Sequence, residues 1–329
     1  MKMPMHILKA EQFDKKFLTY LFELTDTIRR LDKSKEGLMY LQSLLAQKRA
    51  MLYFTQPSTR TFMSFQSACH ILGIKSLEIR DPSTSSERKG ESIEDSLQTF
   101  SSYVDLIIMR SPVAGLCDKM AHLLNSTHRP VPIINAGSGP DQHPTQALLD
   151  MYTLNRSFRN RGGFAGKTIA MVGDLKRGRT IRSLSQLLMQ YEGVKMIFVS
   201  PEEYRISEDL SLKLKSTGVA SFEESTKFSE AIASADAIYM TRVQDEYDLK
   251  EESKKIDTSK FHLTLDHLPS LKKDCIIMHP FPRRQEIDPR VDQDPRAKYW
   301  RQERNGMWTR VALITKILDV DNRIVMPEL

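Results

Sequence analysis

What most constrains the fold is a regular alternation of short apolar, β-rich runs with amphipathic stretches, sustained along almost the whole chain. Residues 51–54, 106–109 and 131–135 read as buried strands, each followed by a helical pattern, at 61–72, at 116–124 and from about His143 onward. A polar stretch at 155–166, rich in Arg, Gly and Asn, interrupts the pattern. Alternation then restarts with strands at 168–172, 196–199, 237–240 and 275–278, a helix at 180–191 and a terminal helix at 309–318. Such βαβ alternation calls for parallel sheets covered by helices on both faces. A chain of 329 residues also exceeds what one small core organises. The expected architecture is therefore α/β: two doubly wound parallel-sheet domains with the active site in the cleft between them. The domains are expected at 1–151 and 152–306, with a C-terminal helix, 307–329, packing back onto the first.

Charge narrows the function. The net charge is +6, but Lys and Arg are spread along the chain rather than gathered in a block. That favours a site for small, highly anionic substrates over a nucleic-acid surface. Cys69, Cys117 and Cys275 are far apart and lack a C-x-x-C spacing, which suits buried thiols in a reducing cytoplasm. No signal peptide is expected at 1–8, and no segment approaches the roughly 18 apolar residues of a membrane span. The expectation is a cytoplasmic protein with neither nucleic acid nor membrane as partner. With no H-E-x-x-H or paired-Cys set and no G-x-G-x-x-G after a strand, neither a metal nor an organic cofactor is expected.

In open α/β sheets, ligands sit outside the carboxyl ends of the strands, so the residues just after each strand matter most. After the first comes Pro57-Ser58-Thr59-Arg60-Thr61, then a helix. Free N–H groups at a helix start, hydroxyls and one Arg make a phosphate cradle; a Ser/Thr N-cap with an exposed Arg is the alternative. Arg110 follows the next strand and faces either the same crevice or solvent. Gln142-His143-Pro144-Thr145-Gln146 follows Asn135-Ala136-Gly137. A His before Pro at a helix N-terminus is disfavoured from protonation and suited to donate a hydrogen bond to a carbonyl oxygen. A simple capping His is the alternative. The polar loop Ser83-Thr84-Ser85-Ser86-Glu87-Arg88-Lys89-Gly90-Glu91, read by itself, is a solvated connection.

In conjunction, Ser58-Thr59-Arg60-Thr61, Arg110 and His143-Pro144-x-Gln146 resemble the carbamoyl-phosphate half of the aspartate and ornithine carbamoyltransferase family. The resemblance runs from Phe54 to the last helix. Gly173-Asp174-Leu175-Lys176-Arg177-Gly178-Arg179-Thr180 and Met240-Thr241-Arg242-Val243-Gln244 look like the acceptor loops of the aspartate branch. The ornithine branch carries a Cys in the His279-Pro280-Phe281-Pro282-Arg283 loop and a Ser-Met-Gly stretch elsewhere, and neither is present. What the resemblance implies is transfer of the carbamoyl group of carbamoyl phosphate to L-aspartate, the committed step of pyrimidine biosynthesis. It implies Arg60, Thr61, Arg110 and His143 as catalytic residues. Ser58, Thr59, Gln146 and Phe281 join these four in holding carbamoyl phosphate. Lys89, Arg179, Arg242, Gln244, Phe281 and Pro282 hold aspartate. It further implies a homotrimer with shared sites, in which Ser85 and Lys89 come from the adjacent subunit, and which regulatory or dihydroorotase chains can join.

The chain departs from the family at three positions. Gln56 stands where many members carry Glu, Tyr247 where many carry Arg, and Phe281 where Leu is more usual. The first two concern domain closure, and all three leave room for another acceptor amino acid. A non-catalytic carbamoyltransferase-like partner subunit would be expected to have lost Arg60, His143 or Lys89, and all are present.

Overall fold

The computed structural model describes residues 5–81, 90–139, 142–217, 219–245 and 256–325. Its packing divides the chain into two units, Met1–Leu148 with Asn305–Leu329, and Leu149–Arg304. Each is an α/β unit built on one parallel sheet.

In the first unit, β1 (Arg49–Phe54), β2 (Lys75–Ile79), β3 (Leu106–Ser111) and β4 (Ile133–Ser138) lie in the order β2-β1-β3-β4. The helices are α1 (Lys15–Leu31), α2 (Lys35–Ser43), α3 (Thr59–Ile71), α4 (Ile93–Ser101) and α5 (Leu116–Asn125). The central strands β1 and β3 are buried from end to end save for Arg49 at the start of β1, which is why they read as apolar runs rather than as alternating ones. Met51, Tyr53, Ile107 and Met109 face one side and pack on Leu97 of α4 and Met120 and Leu124 of α5. The sequence reading has no strand at β2, and the reason is its position. As an edge strand it is largely exposed, and Lys75, Ser76 and Glu78 blunt the edge instead of filling a core. Helix α1 was also not anticipated. The Asp14 carboxylate accepts the Phe17 N–H at 2.6 Å and starts a helix whose buried Phe17, Leu18, Leu21, Phe22, Leu24, Ile28 and Leu31 form one stripe.

In the second unit, β5 (Thr168–Val172), β6 (Lys195–Val199), β7 (Ser221–Ser225), β8 (Ala237–Met240) and β9 (Ile276–Met278) lie in the order β7-β6-β5-β8-β9. Around them are α7 (Arg179–Leu188), α8 (Glu208–Thr217) and α9 (Phe228–Ser234). Ala170, Val172, Ile197, Val199, Ile238, Met240 and Ile277 share one core with Phe228 and Ile232 of α9. Two helices, α6 (Pro144–Phe158) and α10 (Tyr299–Ile317), contain the points at which the units divide.

Two boundaries differ from the sequence expectation. The polar stretch from 155 does not break the pattern at once: α6 continues to Phe158, whose ring is fully buried. The terminal helix begins at Tyr299, ten residues before 309, and ends at Ile317. Its first turns hide in the sequence because Gln302 and Asn305 look like surface residues but are buried and hydrogen-bonded. No helix of the described residues is long and apolar enough to cross a membrane.

Sheet order sets where ligands can enter. From β1 the chain crosses to β2 on one side, whereas β3 and β4 lie on the other. In the second unit, β6 and β7 lie on one side of β5, and β8 and β9 on the other. Each reversal splays the flanking connections and opens a crevice at the strands' carboxyl ends, between β1 and β3 and between β5 and β8.

Candidate active site

At the first reversal stand the residues that the sequence singled out. Phe54 and Arg110 are register partners at the ends of β1 and β3. The Arg110 carbonyl accepts the Thr55 N–H at 2.9 Å, so the chain entering Pro57–Thr61 is tied to the strand that carries Arg110. Helix α3 begins at Thr59, and the Ser58 hydroxyl makes no capping hydrogen bond, leaving it available for another acceptor or donor. Thr59 and Arg60 are exposed on the first turn, and Thr61 is buried behind them. The first-turn N–H groups of a helix have no partner inside it, and they add positive potential beside the Arg60 guanidinium.

Arg110 is buried, not the surface cation it could have been. Its Nη1 donates to the Ala136 carbonyl at 3.1 Å. His143 is buried as well, immediately before α6, and its carbonyl accepts the Gln146 and Ala147 N–H groups at 3.0 and 3.2 Å. Gly137 shows how near these two side chains come. A Cβ placed there would lie 2.5 Å from Arg110 Nη1 and 3.3 Å from His143 Cδ2, and the residue's φ of +114° is itself closed to most side chains. The guanidinium and imidazole therefore flank one glycine at the end of β4. Asn135 holds that turn by accepting the Gly137 N–H at 2.8 Å and donating to Ser138 Oγ at 3.0 Å and the Leu8 carbonyl at 2.9 Å. Gln146 lies buried on the first turn of α6.

The second reversal is organised by a residue to which the sequence reading gave no role. Asp174, fully buried after β5, accepts the Arg177 N–H at 3.2 Å, Arg177 Nε at 2.8 Å and the Gln244 N–H at 3.1 Å. One carboxylate thus joins the loop after β5 to the loop after β8. Gly173, with φ of +121°, lets the two strand ends approach so closely that any side chain would overlap the Thr241 carbonyl. Arg179 opens α7, its N–H bonded to the Arg177 carbonyl at 3.0 Å. Arg242 donates to the Val243 carbonyl at 2.8 Å and pairs loosely with Asp245 at 3.7 Å. Asp245 is held more closely by Arg284 Nη1, at 2.7 Å. The Arg284 hydrogen bond, opposed by slight burial, keeps its carboxyl below the usual range.

The loop after β9 carries the remaining candidates. Phe281 has φ of +55° and is followed by a cis bond to Pro282. Its N–H donates to His279 Nδ1 at 2.8 Å, and its ring packs 4.9 Å from that of Trp300. A buried acid and three partly exposed cations now mark the second unit, and an acid within the run Gly173–Thr180 was the available signal for Asp174. The structure brings Arg179, Arg242 and Gln244 to one reversal and sets the Phe281 loop after the neighbouring strand. Ser85 and Lys89 lie outside the described residues, as does Tyr247.

Two parallel α/β units, each with cations at its topological reversal, suit the binding of small anions. The chain belongs to the aspartate/ornithine carbamoyltransferase family: the carbamoyl-P binding domain of that family matches residues 5–156 and its Asp/Orn binding domain residues 165–317. Aspartate carbamoyltransferase of Arabidopsis thaliana, a chloroplastic protein, is 39% identical over 318 residues, covering 95% of this chain and 77% of that one. The aspartate carbamoyltransferase catalytic subunit of Clostridium novyi is 39% identical over 300 residues, 91% of this chain and 95% of that one. Aspartate transcarbamoylase of Trypanosoma cruzi, solved with carbamoyl phosphate and aspartate, superposes with a TM-score of 0.85 at 31% identity, covering 94% of this chain and 95% of that chain.

Proposed function

We propose that this chain is the catalytic chain of an aspartate carbamoyltransferase, which converts carbamoyl phosphate and L-aspartate into N-carbamoyl-L-aspartate and phosphate for pyrimidine synthesis. The observation that carries the reading is the buried cluster of Arg110 and His143 about Gly137, beside the Ser58–Thr61 helix start. In the proposed mechanism the neutral amine of aspartate attacks the carbonyl carbon, and negative charge builds on the carbonyl oxygen. Thr61, Arg110 and His143 donate to that oxygen, Ser58, Thr59 and Arg60 hold the phosphate, Gln146 orients the carbamoyl group, and Lys89 of the neighbouring subunit closes over phosphate and aspartate together. The carbon–oxygen bond to phosphate then breaks, and the departing phosphate accepts the amine proton, so no side-chain base is needed. Preorganised donors of this type contribute roughly 3–4 kcal/mol each, and holding two small reactants in register supplies much of the rest. On the acceptor side, Arg179 and Arg242 each grip one carboxylate, with Gln244, Phe281 and Pro282 around them. A steady-state assay with carbamoyl phosphate and a panel of amino acids tests the assignment; product with none of them would overturn it.

Gly137→Ala is expected to lower kcat at least tenfold per folded molecule, because the added methyl displaces the Arg110 guanidinium and strains a backbone at φ +114°, with some loss of stability beside it. Wild-type kcat in the folded variant would show that the cluster does not act in catalysis.

The proposal includes a cytoplasmic homotrimer that shares its sites, with Ser85 and Lys89 supplied by the neighbouring subunit. The three cysteines are all free and buried, in keeping with a reducing compartment. Complementation tests the sharing: Lys89→Ala and Arg60→Ala chains, each inactive alone, should regain activity in mixed trimers. Verified mixed trimers that stay inactive would place the Ser85–Lys89 loop in the site of its own chain.

A further inference from the structure

Hydrogen bonds in the second unit form a circuit that begins and ends beside the acceptor residues. On β8, Tyr239 OH donates to Asp150 at 2.7 Å, and the other Asp150 oxygen accepts Gln302 Nε2 at 2.7 Å. Gln302 Oε1 accepts the His279 N–H at 2.9 Å. His279 Nε2 meets Glu286 Oε1 at 2.7 Å, and the same oxygen accepts the Arg284 N–H at 3.0 Å. Arg284 then reaches Asp245, the ion-pair partner of Arg242.

Two features single out the His279–Glu286 pair within this circuit. Both residues are buried, His279 completely, and a buried carboxylate is retained only where its hydrogen bonds are filled. The pair also governs the loop's shape at two points, the N–H of Phe281 through His279 Nδ1 and the N–H of Arg284 through Glu286. Phe281 occupies the left-handed region without being glycine, a conformation that persists only when its surroundings impose it. The imidazole can impose it in one state alone. Nδ1 must accept from Phe281, so the ring proton sits on Nε2 and is donated to Glu286.

We infer that His279 and Glu286 are positioning residues for the transfer reaction, fixing the loop that carries Phe281, Pro282 and Arg284 in register with Arg242. The inference deepens the aspartate carbamoyltransferase reading and rests on it. Neither side chain needs to touch a substrate. Their effect is exerted through the backbone at 281, which serves both substrates, and at 284, which leads through Asp245 to Arg242 alone, so the acceptor loses more than the donor.

The test uses the full-length enzyme with Glu286→Ala and Glu286→Gln, recording kcat, both KM values and the thermal midpoint. Glu286→Ala should raise the KM for aspartate at least tenfold and lower kcat about tenfold, with the KM for carbamoyl phosphate changed less than threefold. Glu286→Gln keeps an oxygen for both N–H donors and should recover most of that loss. A merely structural role would lower kcat with the unfolded fraction and leave the aspartate KM in place; that result overturns the inference. So does a Gln variant as impaired as the Ala variant. Should Glu286→Ala fail to fold, Glu286→Asp, with its arm one methylene shorter, carries the same KM comparison. A wild-type enzyme that makes no carbamoyl aspartate defeats the functional reading itself, a result separate from an active wild type with an unaffected Ala variant.

Discussion

Offered L-aspartate and L-ornithine in one assay, the enzyme is expected to favour aspartate in kcat/KM by about a thousandfold or more, the equivalent of ~4 kcal/mol. Aspartate presents two carboxylates at short separation, in the proposed site one for Arg179 and one for Arg242, each able to form two parallel hydrogen bonds with a guanidinium. Ornithine would bring an ammonium among these cations and leave one guanidinium without a substrate carboxylate, and burying unmatched charge is costly. The resident partner of Arg242 does not oppose this exchange strongly. Asp245 stands 3.7 Å away and is held by Arg284 at 2.7 Å, so a substrate carboxylate can supplant the looser contact. Succinate, which has the carboxylates but no amine, should inhibit competitively against aspartate without reacting. Arg242→Ala should impair aspartate use far more than carbamoyl phosphate binding. A preference for ornithine, or indifference to succinate, would refute the choice of acceptor while leaving carbamoyl transfer intact.

Arg60→Ala is expected to cost about 3 kcal/mol or more in transition-state free energy, a loss of at least ~150-fold in kcat/KM. Stability should scarcely change, because Arg60 is exposed on the first turn of α3 and fills no core. Its charge adds to the positive potential of the helix start, and a phosphate held at the proposed site would lose a counter-charge. Lys at this position should restore only part of the activity, since an ammonium cannot form the planar fork. Near-normal turnover in folded Arg60→Ala protein would remove Ser58–Thr61 from the donor site.

These residues were legible in the sequence for a physical reason. A central parallel strand must be apolar throughout, so β1, β3, β5 and β8 are conspicuous, and a cation directly after such a strand stands out against it. Arg110 and His143 could be placed this way, although the sequence left open whether Arg110 faced solvent. The structure buries it because Gly137 makes room for its guanidinium. Edge strands β2 and β7 carry no comparable signal, as Lys75, Glu78, Glu223 and Glu224 serve to keep their rims soluble. The buried polar residues were the hardest to read. Asp174, Glu286 and Gln302 have the composition of surface positions, and only the fold supplies the N–H groups that satisfy them. The start of α10 was missed for the same reason, since Gln302 and Asn305 conceal its buried face.

Asp174 has a further consequence for the proposed site. Because one buried carboxylate clasps both the Arg177 backbone and the Gln244 backbone, the spacing between the anchor points of Arg179 and Arg242 is set by the protein before any acceptor arrives. In the proposed acceptor role, the pair is expected to respond to the length of the acceptor as well as to its charge. Glutamate, one methylene longer than aspartate, is then expected to be the poorer acceptor in kcat/KM. On that proposal, chain length and not charge alone selects the acceptor.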